Sequence, residues 1–136
     1  EPYRRQRQMC IRDSRTAGDS HMQAITASLM GPEDVLLFVS YSGSTRDMMD
    51  TLRLAKENGA KVILITHYDD APGAALADVV LLCGAQENPL DSGSIPAKLA
   101  MLFVANVLVL RYTLDNQELA NLSLSRTSQA LGSKLL

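Results

Sequence analysis

VLLFVSYSGSTRDMMDTLRLAKENGAKVILIT, residues 35–66, is the stretch whose reading decides the fold. It opens on a continuous apolar run, Val35–Val39, of strand length, the pattern of a strand buried on both faces. A helix follows, with Met48, Met49, Leu52 and Ala55 on its inner face. Ser44-x-x-Asp47 reads as a weak capping box at its start, and Asn58-Gly59 as its stop. Lys61–Thr66 (KVILIT) then repeats the buried-strand pattern. Strand, helix, strand requires a crossover, so the two strands are predicted parallel and the connection right-handed.

The same grammar extends outward. Upstream, DSHMQAITASLM places Met22, Ile25 and Leu29 on one helical face behind an Asp19/Ser20 start signal, and Gly31-Pro32 stops it. Downstream, Pro72 begins a short helical turn through Leu76, and Val79–Cys83 (VVLLC) is a third strand. The loop GAQENPLDSG leads to a long apolar helix, about 94–112, with Pro96 in its first turn, where a missing N–H costs nothing. Asp115-x-x-Glu118 is expected to cap a last helix that turns Leu119, Leu122, Leu124 and Leu131 mostly inward. The pattern is α/β, a parallel sheet flanked by helices. In such sheets ligands bind beyond the carboxyl ends of the strands. Three loops lie there: 40–45, 66–72 and 84–93.

Composition narrows the class. With 136 residues, 46% apolar and 21% charged, the chain suits one soluble globular domain. Cys10 and Cys83 are too few and too differently placed for a disulfide scaffold, which points to a reduced, cytoplasmic compartment. The longest apolar stretch, Leu99–Leu110, is interrupted by Asn106 and falls short of the roughly 18–20 residues a bilayer span needs, so a buried helix and no membrane are expected. Residues 1–15 carry five Arg against Glu1 and Asp13, a net +3; the remainder holds eight Lys/Arg against thirteen Asp/Glu, a net −5. The acidic body is an unlikely nucleic-acid surface. EPYRRQRQMCIRDSR has no hydrophobic period, and MCIRDS resembles a translated sequencing-adapter remnant; residues 1–17 are expected to be a non-native or disordered leader. A basic arm for nucleic acid is the alternative reading of that segment.

The turn SYSGST carries the chemistry. It leaves a strand and opens a helix, where free N–H groups and the positive end of the helix dipole favour an anion. Gly43 permits close backbone approach or positive φ, and Ser40, Ser42, Ser44 and Thr45 add hydroxyl donors without bulk. No lysine occupies the turn, so it is not a triphosphate-binding Walker loop. A single phosphomonoester fits better, with ordinary helix capping as the alternative. No nucleophile–base pair or metal cluster is visible, and no cofactor is expected.

SYSGST, followed by a helix and AKENGAKVILIT, closely resembles the SIS (sugar isomerase) domain, whose [ST]-x-S-G-x-T turn grips the phosphate of phosphosugars. DSHMQAITASLMGPEDV, LADVVLLC and the tail SLSRTSQALGSKLL resemble, more specifically, the effector domain of RpiR-family transcriptional regulators. The resemblance covers residues 18–136, read as a partial SIS domain. It implies a flavodoxin-like, three-layer sheet of five parallel strands in order 2-1-3-4-5, of which this chain supplies the last three, leaving Val35–Ser40 as an edge. It assigns phosphate binding to Ser40, Ser42 and Thr45, with the N–H groups of Tyr41, Gly43 and Ser44. It suggests sugar-side roles for His21 and Glu87; His67, at a strand end, could line the mouth. By residue chemistry alone His21 also reads as a cap or surface group and Glu87 as a solvated loop carboxylate. The function implied is a phosphosugar-sensing effector domain whose DNA contact lies in an absent N-terminal helix-turn-helix domain, acting as a homodimer or higher oligomer. The alternative is a phosphosugar aldose–ketose isomerase with Glu87 as the proton-transfer base.

Overall fold

The computed structural model describes residues 14–84 and 94–132; expectations that fall on Cys10 or Glu87 lie outside the described residues. The elements are α1 (Ser20–Ser28), β1 (Val35–Val39), α2 (Arg46–Glu57), β2 (Lys61–Thr66), a 3-10 turn (Pro72–Leu76), β3 (Val79–Leu82), α3 (Ile95–Asp115) and α4 (Gln117–Gly132). Asp19 opens α1 by accepting the N–H groups of His21 and Met22 at 3.0 and 3.1 Å, two donors that a helix start otherwise leaves without a partner. Asn58 and Gly59, the latter at φ +84°, close α2. The Asn58 side chain also donates to the Ala27 carbonyl at 3.1 Å, tying the end of α2 to α1.

The three strands form one parallel sheet in the order β1-β2-β3, with Val35 opposite Lys61 and Ile63 opposite Val79. This is the α/β arrangement expected from the alternation of strands and helices. On one face, Leu36, Phe38, Val62 and Leu64 meet Met48, Leu52 and Ala55 of α2 and Ala27 of α1. Full burial of a side chain the size of Leu or Met stabilises by about 1.5–3 kcal/mol. Met48, Leu52, Val62 and Leu64 are all at or below 1% exposure, so this layer fixes where β1 hands the chain to α2. At the other end of the sheet, Asp78 accepts from Lys56 Nζ at 2.9 Å and from the Val62 N–H at 2.8 Å, with Lys61 Nζ at 3.7 Å. The Lys56 bond, then the Val62 N–H, hold its carboxyl at about 2, below the ordinary 3.8.

Several faces read as interior are open. The alternate residues Val35, Leu37 and Val39 are 57, 45 and 46% exposed, so β1 is covered on one face rather than two. Among the described residues it pairs on one side only, which makes it the expected edge. The stripe Met22, Ile25 and Leu29 also faces solvent, and α1 buries Ala27 instead. α3 buries only Ala97; it is not a buried helix, and by length and composition alone it is long and apolar enough to cross a membrane. Leu122, Leu124 and Leu131 of α4 are likewise exposed rather than inward. An apolar run records a capacity for burial, and no described element lies over these faces to use it.

Two helix starts differ as well. Thr45, not Ser44, is the N-cap residue of α2, and no side chain makes a capping bond there. Asp115 ends α3, where it pairs with Arg111 at 3.0 Å, instead of capping α4.

Candidate functional site

Beyond Val39 the chain stays in step with β2 for one more residue, the Ser40 N–H donating to the Ile65 carbonyl at 3.0 Å. It then turns through residues 41–45 and enters α2. The Tyr41 carbonyl accepts twice, from the Thr66 hydroxyl at 3.0 Å and from the His67 N–H at 3.1 Å. Gly43 adopts φ +59°, a left-handed conformation that costs glycine little. Its N–H donates to Ser40 Oγ at 3.2 Å, and its carbonyl accepts from the Gly73 N–H at 2.9 Å. Space demands glycine there too: a Cβ at position 43 would lie 2.6 Å from Ala71 Cβ and 2.8 Å from Thr66 Oγ1.

The turn therefore has a bonded inner side and an open outer side. Ser44 and Thr45 are exposed, and Ser42 is half-buried. Among the described residues, the hydroxyls of Ser42, Ser44 and Thr45 engage no partner, and Thr45 leaves the first N–H groups of α2 without a side-chain acceptor. Hydroxyl and amide donors with the positive end of a twelve-residue helix behind them suit an anion.

An aromatic group adjoins this surface. The rings of Tyr41 and His67 stack with centroids 4.8 Å apart at 3°, and Tyr68 meets both edge-on, at 5.9 and 4.7 Å. His67 Nδ1 lies 3.1 Å from the Cys83 carbonyl, an acceptor, so the proton of the neutral ring belongs on Nδ1. Gly84, at φ +93°, lies against the same stack: a Cβ there would be 3.5 Å from His67 Nδ1 and 3.6 Å from the Tyr41 ring. The carboxyl ends of β1, β2 and β3 are thus joined through side chains. Cys83 is partly buried, which pushes its thiol up.

The residues read from the sequence divide accordingly. Ser40, Tyr41, Ser42, Gly43, Ser44 and Thr45 form the turn, and His67 is brought to it through Tyr41. His21 sits exposed in the first turn of α1, its N–H on Asp19; among the described residues no hydrogen bond or ring contact joins it to the turn. Glu87 lies outside the described residues. Among the described residues no group of three or more His, Cys, Asp or Glu could hold a metal ion. An open apolar depression of about 400 Å³ lies on α3, lined by Leu99, Leu102, Phe103 and Asn106, and shares no residue with the turn. Thr66 and Gly73 were not legible as site residues. Their signals were slight: a hydroxyl ending a buried strand, and a glycine just after Pro72.

The SIS domain profile matches residues 14–111, from the start of the described chain into α3. The chain belongs to the SIS domain family. The match begins inside the segment 1–17 read from the sequence as a leader. This SIS domain is 37% identical over 109 residues to the HTH-type transcriptional regulator RpiR of Escherichia coli K12, covering 80% of this chain and 37% of that one. It is 36% identical over 90 residues to an uncharacterised HTH-type transcriptional regulator of Clostridium perfringens, covering 66% and 32%. Among solved structures, the Vibrio vulnificus NanR protein complexed with ManNAc-6P superposes with a TM-score of 0.80 at 26% identity, over 98% of this chain and 49% of that one. The sugar isomerase domain of an RpiR transcription factor from Sphaerobacter thermophilus shares the fold, with a TM-score of 0.67 at 24% identity over 85% of this chain and 62% of that one. The chain spans about a third of the length of the curated regulators it matches.

Proposed function

We propose that this SIS domain is the phosphosugar-sensing part of an RpiR-type transcriptional regulator, cytoplasmic, with the phosphate held by the turn 40–45. The observation that carries this reading is the two-sided turn: its inner carbonyls are bonded to β2 and the 3-10 turn, while the hydroxyls of Ser42, Ser44 and Thr45 remain open at a helix start. Ser40, Ser42 and Thr45 bind phosphate oxygens through their hydroxyls, with backbone N–H groups of the turn assisting. His67 faces the sugar from the aromatic stack, and His21 and Glu87 are further sugar-side groups. Residues 18–136 belong to the sensing domain, and the leader is confined to the residues before the profile match begins at residue 14. DNA is contacted by a separate helix-turn-helix domain of the whole regulator, in keeping with the HTH-type relatives. The open apolar surface of α3 and α4 is covered by a second copy, giving a homodimer. Because the matched NanR structure is complexed with ManNAc-6P, hexosamine 6-phosphates are the first ligands to try.

Thermal unfolding of the purified chain with a panel of sugar phosphates, the same sugars without phosphate, and inorganic phosphate tests the assignment. A ligand at a hundred times its Kd stabilises the folded state by about 2.7 kcal/mol. Stabilisation by phosphorylated sugars and not by their neutral parents is the expected result. No shift with any phosphate species would overturn the reading.

A further inference from the structure

We infer that Thr66 and Gly73 are positioning residues for the phosphate turn: by holding two of its carbonyls they fix which N–H groups the turn presents. This rests on the phosphate assignment above but concerns residues outside the turn.

The inference follows from peptide geometry. A trans peptide is planar, with C=O and N–H pointing in opposite directions, and no cis bond occurs among the described residues. The Tyr41 carbonyl is drawn toward β2 by Thr66 Oγ1 at 3.0 Å and the His67 N–H at 3.1 Å. The N–H of the same peptide, that of Ser42, must then face away from β2. The Gly43 carbonyl is drawn toward the 3-10 turn by the Gly73 N–H at 2.9 Å. The N–H of that peptide, belonging to Ser44, faces away in turn. Between them, the Gly43 N–H is taken up by Ser40 Oγ at 3.2 Å. The turn thus offers the Ser42 and Ser44 amides outward and keeps the Gly43 amide for itself. This departs from the expectation from the family motif, in which the Tyr41, Gly43 and Ser44 amides assist: the Gly43 amide is taken up by Ser40 Oγ, and the Ser42 amide joins that of Ser44 on the outer side.

The supports are themselves held rigidly. Thr66 is 0% exposed, and its hydroxyl sits where a side chain on Gly43 would have to go. A Cβ on Gly73 would lie 2.7 Å from Met48 Cε and 2.9 Å from the Gly43 carbonyl, so the 3-10 turn presses directly on the bonded side of the phosphate turn. Met48 is a core residue of α2, the helix whose start would face the anion. Strand end, 3-10 turn and helix therefore set the turn from three sides. Preorganised donors of this kind need not reorder when the ligand arrives.

Thr66→Val keeps the shape and removes the hydroxyl; Thr66→Ser keeps the hydroxyl and removes a methyl. The His67 N–H still satisfies the Tyr41 carbonyl in both, so neither leaves a buried acceptor unpaired. Each variant and the unaltered chain are titrated with hexosamine 6-phosphate and with inorganic phosphate, following backbone amide shifts by NMR. Thr66→Val is expected to weaken binding about three- to tenfold, with Thr66→Ser within about twofold of the unaltered chain. Equal binding by Thr66→Val, or an equal loss in Thr66→Ser, would overturn the inference. Without ligand, the Ser42 and Ser44 amide shifts and exchange rates are expected to move in Thr66→Val and to hold in Thr66→Ser. If the unaltered chain binds no phosphate species, the functional reading fails, and the ligand-free amide comparison still decides the positioning role.

Discussion

Replacing Gly43 by Ala concentrates the strain of the turn into one atom. At φ +59° a non-glycine residue costs roughly 1–2 kcal/mol. The added Cβ would also stand 2.6 Å from Ala71 Cβ and 2.8 Å from Thr66 Oγ1. Neither neighbour is the free end of a flexible chain: Ala71 is 6% exposed and Thr66 is 0% exposed, with its hydroxyl already bonded to the Tyr41 carbonyl. Overpacking against such neighbours costs about 1–3 kcal/mol. The two contributions together predict a loss of about 2–5 kcal/mol, a large part of the 5–15 kcal/mol typical of a domain. For a chain of 136 residues, 1 kcal/mol corresponds to roughly 3–4 °C in Tm, so the midpoint should fall by about 6–20 °C. Gly18→Ala is the matched control, since nothing lies within 4 Å of its Cβ position and its φ is not positive. Thermal unfolding of the three proteins by circular dichroism, at one concentration and without ligand, reads the difference directly. A Gly43→Ala midpoint within about 2 °C of the other two would refute the geometry given for the turn.

Ser42→Ala should weaken phosphosugar binding by about 1–3 kcal/mol, read by titration calorimetry, because a hydroxyl donor to a charged group is lost; unchanged affinity would remove Ser42 from the site. Asp78→Asn tests the clamp at the far end of the sheet. The Asp78 carboxyl titrates at about 2 when folded against 3.8 ordinarily, so its contribution is present above about pH 4 and is lost as pH falls toward 2. The difference in unfolding midpoint between the unaltered chain and Asp78→Asn should shrink over that interval, and a difference independent of pH from 2 to 5 would count against the clamp. Phe103→Asp, at a residue 68% exposed on α3, should convert a dimer into a monomer by sedimentation velocity; an unaltered chain that is already monomeric at high concentration would refute self-association through this helix.

What the sequence disclosed and what it hid follow from the range of the interactions involved. Helix and strand periods are local, so Lys61–Thr66, Pro72–Leu76 and the end of α2 at Glu57 could be read from neighbouring residues alone. The inner face of α2 was equally legible, because Met48, Leu52 and Ala55 repeat at helical spacing and the sheet lies beneath them. Coverage is not local. Met22, Ile25 and Leu29 carry the same signal as Met48 and Leu52, as do Val35, Leu37 and Val39, yet they face solvent because nothing in the described chain lies over them. Apolar character thus marked faces that stay open in the described chain as faithfully as it marked the core, without distinguishing the two.

The site divides along the same line. Ser40, Ser42, Ser44 and Thr45 announce themselves as candidate donors by chemistry and adjacency, and a strand-to-helix turn is a place that favours an anion. Thr66 and Gly73 do not, because their function depends on which distant carbonyl each one meets. Thr66 lies 25 residues from Tyr41 along the chain, and the Gly73 N–H reaches Gly43 only because the 3-10 turn packs beneath α2. Neither residue is chemically unusual; each becomes specific through the register of β1 on β2 and the seating of a five-residue turn. A motif search that stops at SYSGST therefore finds the groups proposed to touch the ligand and misses those that aim them. Two SIS domains with the same six residues, one of them lacking a hydroxyl at position 66, should share the ligand class and differ in affinity.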